Sequence, residues 1–453
     1  MFFSAYSNCL KIPELRRRIF FTLGVVALCR LTSSVPCPGV DPKALGLLFH
    51  KMSGSAGGGV MDMFDMFSGG ALQKFAVGAL GIMPYISASI VMQLMTPVIP
   101  TLEKLQREGE SGRQKIHQMT RYLTVLICII QGSMLAATMM NPERMGLPGG
   151  IAPVTHPGMG FALQTLIILT AGALLLMWLG EQISERGIGN GASIIITISI
   201  IDRLPQSIWG MVTLVRAGGG APGQNFTVIH LMLMMVMFFA VCAATIALTQ
   251  AHRKVPVKYA RSGRGMGTGQ TTYMPLRVNY SGVMPIIFAG AILMFPGMIL
   301  QWIPYTRMQG WGRFFQYGTG WYMMWYAIMI MLFSYFWVAN QFNPIQIADD
   351  LQKRAGYIPG IRPGQPTAEY LDRTMTLITF AGALFLSALA VLPMVMANRF
   401  GVPYMIAQFF GGTSLLIMVG VMLDTLRQVE AHLLSRHYDG FLKKGRLRSR
   451  RGG

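Results

Sequence analysis

The stretch GIMPYISASIVMQLMTP at Gly81–Pro97 decides the fold, because it is a continuous apolar run long enough to cross most of a bilayer. Residues Gly57–Phe75, just ahead of it, are too polar and too rich in glycine to cross. Broken segments at membrane depth are tolerated only where they line a cavity or are buried in protein. We therefore predict a half-length element that enters the helix without a turn, with Ile82 and Ile86 on one helical face. This order suggests a pore with a stopper.

Three charged residues stand in the half-element, namely Asp62, Asp65 and Lys74. A charge that faces lipid is costly, so we expect these side chains to face water or a funnel. An ordinary surface helix in an external loop is the alternative for the same residues. Arg30, near the end of the first apolar run, is expected to snorkel towards the membrane surface.

The composition is that of a membrane protein with many spans. Hydrophobic residues make up 52% of the 453 residues and charged residues 12%, about half the share of charge in soluble domains. Apolar runs of about 20 residues recur along the chain. We predict an all-α polytopic protein with ten transmembrane helices, at residues 18–35, 77–99, 118–140, 158–180, 191–214, 226–249, 283–304, 321–341, 374–396 and 402–426.

Charge fixes the predicted orientation. The net charge is +20, and most lysines and arginines fall on the side that holds both termini, which predicts that both termini are cytosolic. The five cysteines show neither paired nor metal-ligand spacing, so no disulfide framework is expected. The N-terminal apolar run lacks a signal-peptidase-like site and is interpreted as an uncleaved first span.

Five spans, an interruption and five more spans suggest an internal duplication. An odd number of spans per half gives the halves opposite topologies, so we predict two inverted five-helix halves. The expected domains are an N-terminal half at 1–214 that includes the half-element at about 57–75, a connecting segment at 215–280 with span 6 and a basic cytosolic loop, the rest of the C-terminal half at 281–427, and a basic cytosolic tail at 428–453.

Two cytosolic loops are more patterned than topology requires. In the first, alternation at Val255–Tyr259 predicts a strand that folds back as a hairpin. In the second, a short helix is expected to end at Gly356, followed by a rigid turn with Arg362 at its tip. Basic loops beside a membrane often only set topology or contact anionic lipids. A docking surface for an acidic partner such as ribosomal RNA is the other interpretation.

No sequence motif indicates an enzyme. The chain has no G-x-x-x-x-G-K-[ST] motif, no clustered carboxylates, no metal-spaced His or Cys and no nucleophile with a neighbouring base. We therefore predict no cofactor, no metal and no catalytic residue, with energy supplied by a partner. A secondary transporter is the alternative function, because transporters also use inverted repeats and broken helices. A transporter should place charged residues at mid-membrane, and such residues look nearly absent.

The chain contains the motifs GIMPYISASIVMQLMTP, EGESGRQKIHQMTRY, GEQISERGIGNGASIII, PVKYA, PLRVN, GVMPIIFA, GYIPGIRPGQPT and FFGGTSLLIMV. Together these motifs resemble the bacterial SecY family, the central subunit of the protein-conducting channel, and the resemblance covers all ten spans in order. It implies a clam-shell of two halves in the bacterial cytoplasmic membrane, an hourglass pore closed by a plug half-helix, and a lateral gate open to lipid.

The resemblance also implies functional residues. A ring of branched apolar side chains can exclude water and ions, yet it yields to a passing chain. The implied pore ring is Ile82, Ile86, Ile196, Ile287 and Ile417. The implied plug spans Met61–Ala71, with Met61, Met63, Phe64, Asp65, Met66, Phe67, Ser68, Gly69 and Gly70 as its site residues. The implied lateral-gate contacts are Ser87, Gln93, Gln131 and Phe295, and the implied docking residues are Arg253, Lys254, Lys258, Arg261 and Arg362.

The resemblance finally implies partners. These are SecE- and SecG-like small subunits, the SecA ATPase, the ribosome through its RNA, signal sequences of secretory and membrane proteins, and anionic lipids. The function that follows is passage of unfolded secretory proteins across the membrane and release of apolar segments into it.

Overall fold

The computed structural model describes residues 12–52, 65–140, 153–217, 228–259, 271–302, 319–400 and 412–444. Most of these residues are helical, as the sequence predicts. Contacts divide the chain into two compact units. The first unit is Met1–Arg203 with Val421–Gly453, and the second unit is Leu204–Gly420.

The first unit is built from seven described helices and part of the last helix of the chain. The helices are α1 Pro13–Ser34, α2 Pro42–Met52, α3 Met83–Met95, α4 Pro100–Arg107, α5 Glu110–Met140, α6 Met159–Arg186 and α7 Gly191–Asp202, and α14 Thr413–Lys444 supplies residues to both units.

The second unit combines apolar helices with a small sheet. Its elements are α8 Leu204–Ala217, α9 Val228–Gln250, β1 His252–Tyr259, β2 Thr271–Arg277, α10 Met284–Trp302, α11 Gly320–Gln341, α12 Pro344–Lys353, β3 Gly356–Tyr357 and α13 Gln365–Phe400.

Every predicted span overlaps one or two of these helices. By length and apolarity, five described helices could cross a membrane alone, and one pair bent by 96° would make a sixth. The protein is therefore a helical multi-pass membrane protein. The five ranges are Glu110–Met140, Met159–Arg186, His230–Gln250, Gly320–Lys353 and Gln365–Met396, and the bent pair is Met83–Met95 with Pro100–Arg107.

The half-element does not enter the second span directly, so that prediction is wrong. Residues 65–68 form a short helical turn, residues 69–82 form consecutive turns, and α3 begins only at Met83. Gly81 has a φ of 59°, in the left-handed region that glycine adopts without steric cost. Pro84 lies in the first turn of α3, where its missing N–H costs no helical hydrogen bond.

The fifth predicted span is also interrupted. Helix α7 ends at Asp202 and α8 begins at Leu204, with Arg203 between them. Pro205 carries no N–H to donate to the carbonyl four residues earlier, so the α-helical hydrogen-bond ladder cannot continue through this point. The break gives Arg203 a position outside either helix.

The predicted hairpin in the first cytosolic loop is confirmed. Strand β1 pairs antiparallel with β2, with Val255 opposite Met274. Strand β3 pairs with the other edge of β1, which makes a three-stranded sheet in the order β2-β1-β3. The sheet packs on an apolar core formed by Val255, Leu276, Val338, Phe342, Ile358, Leu371 and Met375.

The short helix in the second cytosolic loop ends earlier than predicted. Helix α12 ends at Lys353, and Ala355 takes the left-handed conformation with a φ of 54°. Gly356 instead belongs to β3, where a side-chain methyl group would lie 2.9 Å from Cε1 of Tyr259. The glycine is therefore required for close approach of two strands and not as the helix terminus.

Candidate functional site

The plug segment, defined as residues 61–71, is described from Asp65 onwards, while Met61, Met63 and Phe64 lie outside the described residues. Asp65, Met66, Phe67 and Ser68 are all buried. The Ser68 hydroxyl donates to the Asp65 carbonyl at 3.1 Å and accepts from the Leu72 N–H at 3.3 Å. These local bonds fold residues 65–72 into a compact turn inside the first unit.

Asp65 does not face water or a funnel, in contrast to the prediction. Its Oδ2 accepts a hydrogen bond from Nη2 of Arg203, and its Oδ1 accepts one from the Gln73 N–H at 3.0 Å. Only 1% of the Asp65 side chain and 6% of the Arg203 side chain are exposed. A buried carboxylate is tolerated when it is paired and hydrogen-bonded in this way.

Arg30 does not simply snorkel, so that expectation is also wrong. Its Nη1 donates to Oδ2 of Asp202 at 2.9 Å and its Nη2 donates to the Ser199 hydroxyl at 3.0 Å. The pair is partly open to solvent, because 51% of the Asp202 side chain is exposed. Arg30 therefore joins α1 to the end of α7.

The two arginines enclose the glycine pair of the plug segment. A methyl group on Gly69 would lie 2.6 Å from Nη1 of Arg30, and one on Gly70 would lie 2.8 Å from Nη2 of Arg203. Both glycines are also left-handed, with φ of 65° and 86°. Any other residue would meet steric collision and backbone strain together.

The chain that follows the plug segment is tied to the end of α1. The Cys37 N–H donates to the Phe75 carbonyl at 2.9 Å, and the Val77 N–H donates to the Val35 carbonyl at 2.9 Å. A methyl group on Gly172 of α6 would collide with the Val77 carbonyl oxygen. These contacts fix the approach to α3.

Three of the five pore-ring residues lie in the first unit, and all three are buried: Ile82, Ile86 and Ile196. Ile82 is the residue before α3, and the Ile86 N–H donates to its carbonyl at 3.2 Å, so the two are one turn apart. The plug segment lies next to both α3 and α7. A methyl group on Gly81 would be 3.4 Å from Cα of Ser68, and one on Gly69 would be 3.1 Å from Cα of Ser199.

The other two ring residues, Ile287 and Ile417, are buried in the second unit. A methyl group on Gly420 would lie 2.5 Å from Cγ1 of Val283, so α14 passes close to the start of α10 near both isoleucines. Because the five isoleucines are divided between two units, the closed ring stays a prediction.

The lateral-gate residues divide in the same way. Ser87 and Gln131 are buried in the first unit, and Oε1 of Gln131 has no hydrogen-bond partner among the described residues. Gln93 donates from Nε2 to the Ser89 hydroxyl at 3.1 Å, within its own helix. The Phe295 side chain lies outside the described part of the chain. The lateral gate that the resemblance implies therefore stays a prediction.

The two loops that the sequence predicts to be cytosolic form one basic surface in the second unit. Arg253, Lys254 and Lys258 on β1 are exposed, and so is Arg362. Lys258 pairs with Tyr357 of β3, directly before the turn that carries Arg362, so the sheet places the two loops side by side. Arg261 lies outside the described residues.

Sequence reasoning missed Arg203, Gln73 and the pairing role of Arg30. A signal was present, because Asp202 and Arg203 are adjacent charges inside a predicted span, where ionisable residues are rare and usually paired. Within the described residues, no group of three or more His, Cys, Asp or Glu side chains could hold a metal ion.

Comparison with protein families and curated relatives gives one consistent result. The family model described as SecY matches residues 76–426. The protein translocase subunit SecY of Chlamydia muridarum is 40% identical over 453 residues, which is 97% of this chain and 98% of the relative. The subunit of the same name from Escherichia coli K12 is 41% identical over 443 residues and 96% of each chain.

Solved structures show the same fold at low sequence identity. One described as a protein conducting channel has a TM-score of 0.61 at 16% identity and covers 92% of both chains. A second, from work on the plug domain of the SecY protein, has a TM-score of 0.58 at 17% identity and also covers 92% of both. Sec61 in the canine ribosome-channel complex matches with a TM-score of 0.58 at 15% identity, with 92% coverage of each chain.

Proposed function

The chain belongs to the SecY family, and from that premise we propose that it is the channel-forming subunit of a protein translocase. It passes unfolded secretory proteins across the bacterial cytoplasmic membrane and releases apolar segments sideways into lipid. The observation that carries this proposal is the burial of residues 65–71, the described part of the plug segment. These residues pack against Gly81, which precedes Ile82, and against Ser199, three positions after Ile196.

The apolar isoleucines and the plug segment act as two barriers in series. Branched apolar side chains exclude water and thereby ions, whereas a polar ring would leak protons. The plug segment covers the ring from the external side while the channel is idle. An apolar signal sequence intercalates at the lateral gate, the plug segment shifts outward, and the unfolded chain then passes the ring.

The basic surface of β1 and the Arg362 turn is the docking site for the energy source. Four exposed cations, three on β1 and one on the Arg362 turn, attract an acidic partner and speed its association. The partners are the SecA ATPase or the ribosome through its RNA, with SecE- and SecG-like small subunits beside the channel. Anionic lipids contact the same cytosolic face.

Both termini lie on the cytosolic side in this proposal, because most lysines and arginines fall on the side that holds them. The protein supplies a path and no chemistry of its own, so it is not an enzyme and needs no cofactor. A secondary transporter is disfavoured by the near-full-length similarity to translocase subunits. The charged side chains of Asp65, Arg203 and Arg30 also pair with one another or with Asp202, whereas a transporter would present them to a substrate.

The test is translocation by the purified complex, reconstituted in vesicles with its small subunits and the motor ATPase. We expect a secretory precursor to become protected from added protease when ATP is present. Charge reversal at the tip of the turn, Arg362→Glu, should lower the rate at least about tenfold, because an attractive contact becomes repulsive. Lys43→Glu, at an exposed position of the predicted external side, is the matched control. An assembled complex that protects no precursor would contradict the proposed function.

A further inference from the structure

We propose that the buried ion pair between Asp65 and Arg203 is a latch that holds the plug segment closed, so that the channel opens only when this pair separates. The inference rests on the proposed function, because it assigns the residues that keep the plug of that channel shut. All the side chains involved belong to the first unit.

Arg203 binds the chain on both sides of the glycine pair Gly69 and Gly70. Its Nη2 donates to Asp65 in the described first turn of the segment, and its Nη1 donates at 3.2 Å to Oε1 of Gln73, two residues beyond the end of the segment. Asp65 also accepts from the Gln73 N–H, so the three groups form a closed set of hydrogen bonds. Moving the plug segment outward must break this set.

Arg30 contacts the other residue of the glycine pair. It is held by Asp202 and Ser199 at the end of α7, and its guanidinium lies directly over Gly69. Arg203 lies over Gly70 in the same way. The glycine pair is therefore enclosed by two cations that are themselves anchored on α1 and on the break between α7 and α8.

The buried position of the ion pair allows it to favour the closed state in addition to the apolar packing of the plug segment. Opposite charges attract more strongly in a buried site than in water. A contact that exists only in the closed state shifts the equilibrium towards that state by its full differential free energy. Apolar contacts of Met66 and Phe67 also favour closure, but they are non-directional. The ion pair adds a directional contact that fixes where the plug segment rests.

The proposal predicts the behaviour of three variants of the full complex in a planar bilayer without precursor. Asp65→Asn, Arg203→Gln and the double variant should each raise the open probability at least about tenfold, since each loses the closed-state attraction. Glu103→Gln is the matched control. It removes an ion pair with Arg107 on α4, where 45% of the glutamate side chain is exposed, and should leave the open probability unchanged.

The double variant separates a latch from a merely structural pair. Each single variant leaves the remaining partner as an unpaired buried charge, whereas the double variant leaves none. If the single variants leak and the double variant is as tight as the intact channel, the leak came from the stranded charge and the latch is overturned. A leaky double variant supports the latch. The double variant leaves no unpaired buried charge, so it is expected to fold. If either single variant fails to purify, the open probability of the double variant alone tests the latch.

Deletion of residues 61–71 in the same assay distinguishes the two proposals. If the deletion leaks while all three variants stay tight, the latch is wrong and the proposed channel function stands. If the deletion is also silent and no precursor crosses, the proposed function and the latch fail together.

Discussion

At the scale of single residues, the reactivity of the Cys37 thiol measures how tightly the chain next to the plug segment is packed. It lies in the connection after α1, and its N–H donates to the Phe75 carbonyl. Its side chain is 3% exposed. Burial disfavours the charged thiolate and raises the pKa of the Cys37 thiol to about 11. Since the thiolate is the reactive form, the folded protein should keep this cysteine inert at neutral pH.

The alkylation rate of Cys37 tests this expectation. Between pH 8 and pH 10 the rate in the native complex should rise roughly tenfold per pH unit, because the thiolate fraction is still small below the raised pKa. At pH 8 it should be at least about a hundredfold slower than in the denatured chain, whose thiol has an ordinary pKa near 8.5. Mass spectrometry of the Cys37 peptide gives both rates. Equal native and denatured rates would show that the thiol is not buried.

The charged residues show where sequence reasoning at this scale stops. Asp65 and Arg203 are separated by 138 positions, and Arg30 and Asp202 by 172. No local period links residues so far apart. The sequence shows only that each charge is costly in or near the membrane, and that it needs water or a partner. The sequence analysis predicts that Asp65 faces water, whereas in the structure Asp65 pairs with Arg203.

At the scale of elements, the three-stranded sheet depends on an apolar core that the strands share with α11 and α13. Val255 and Leu276 come from the two hairpin strands, and Leu371 comes from the start of α13 and is completely buried. The sheet in turn places the exposed cations of the basic surface. We therefore expect the core to control partner docking as well as stability.

Leu371→Ala should destabilise this region by about 2–5 kcal/mol, because it removes buried methyl groups and leaves a cavity. The melting temperature of the purified complex and its affinity for the motor ATPase should both fall. Leu377→Ala on the same helix is the matched control, since 61% of that side chain is exposed. Equal melting temperatures for the two variants would mean that the core does not support the sheet.

Elements were predictable where the determining pattern is local. The hairpin follows from alternation over a few residues, and its existence was predicted. The break in the fifth span was missed although Asp202, Arg203 and Pro205 are visible in the sequence, because the apolar residues on both sides of them suggest one continuous span. The end of α12 was misplaced because Gly356 looks like a helix terminator, whereas its role is set by Tyr259 on a distant strand.

At the scale of the whole molecule, the order of apolar runs and the quoted motifs were enough to predict a SecY-like helical membrane protein. Similarity to SecY subunits over nearly the full length confirms the family. The inverted relation of the two halves, the closed isoleucine ring and the lateral gate stay predictions. Each of them depends on how residues from both units combine.

The most direct measurement is the ion conductance of the purified complex in a planar bilayer, intact and with residues 61–71 deleted. We expect the intact channel to be silent and the deletion variant to leak with flickering openings, because only one of the two barriers remains and each transient opening of the apolar ring then conducts. Removal of residues 445–453 from the basic tail is the control and should leave the channel silent. A deletion variant as silent as the intact complex, or an intact complex that conducts steadily, would contradict a pore closed by this plug.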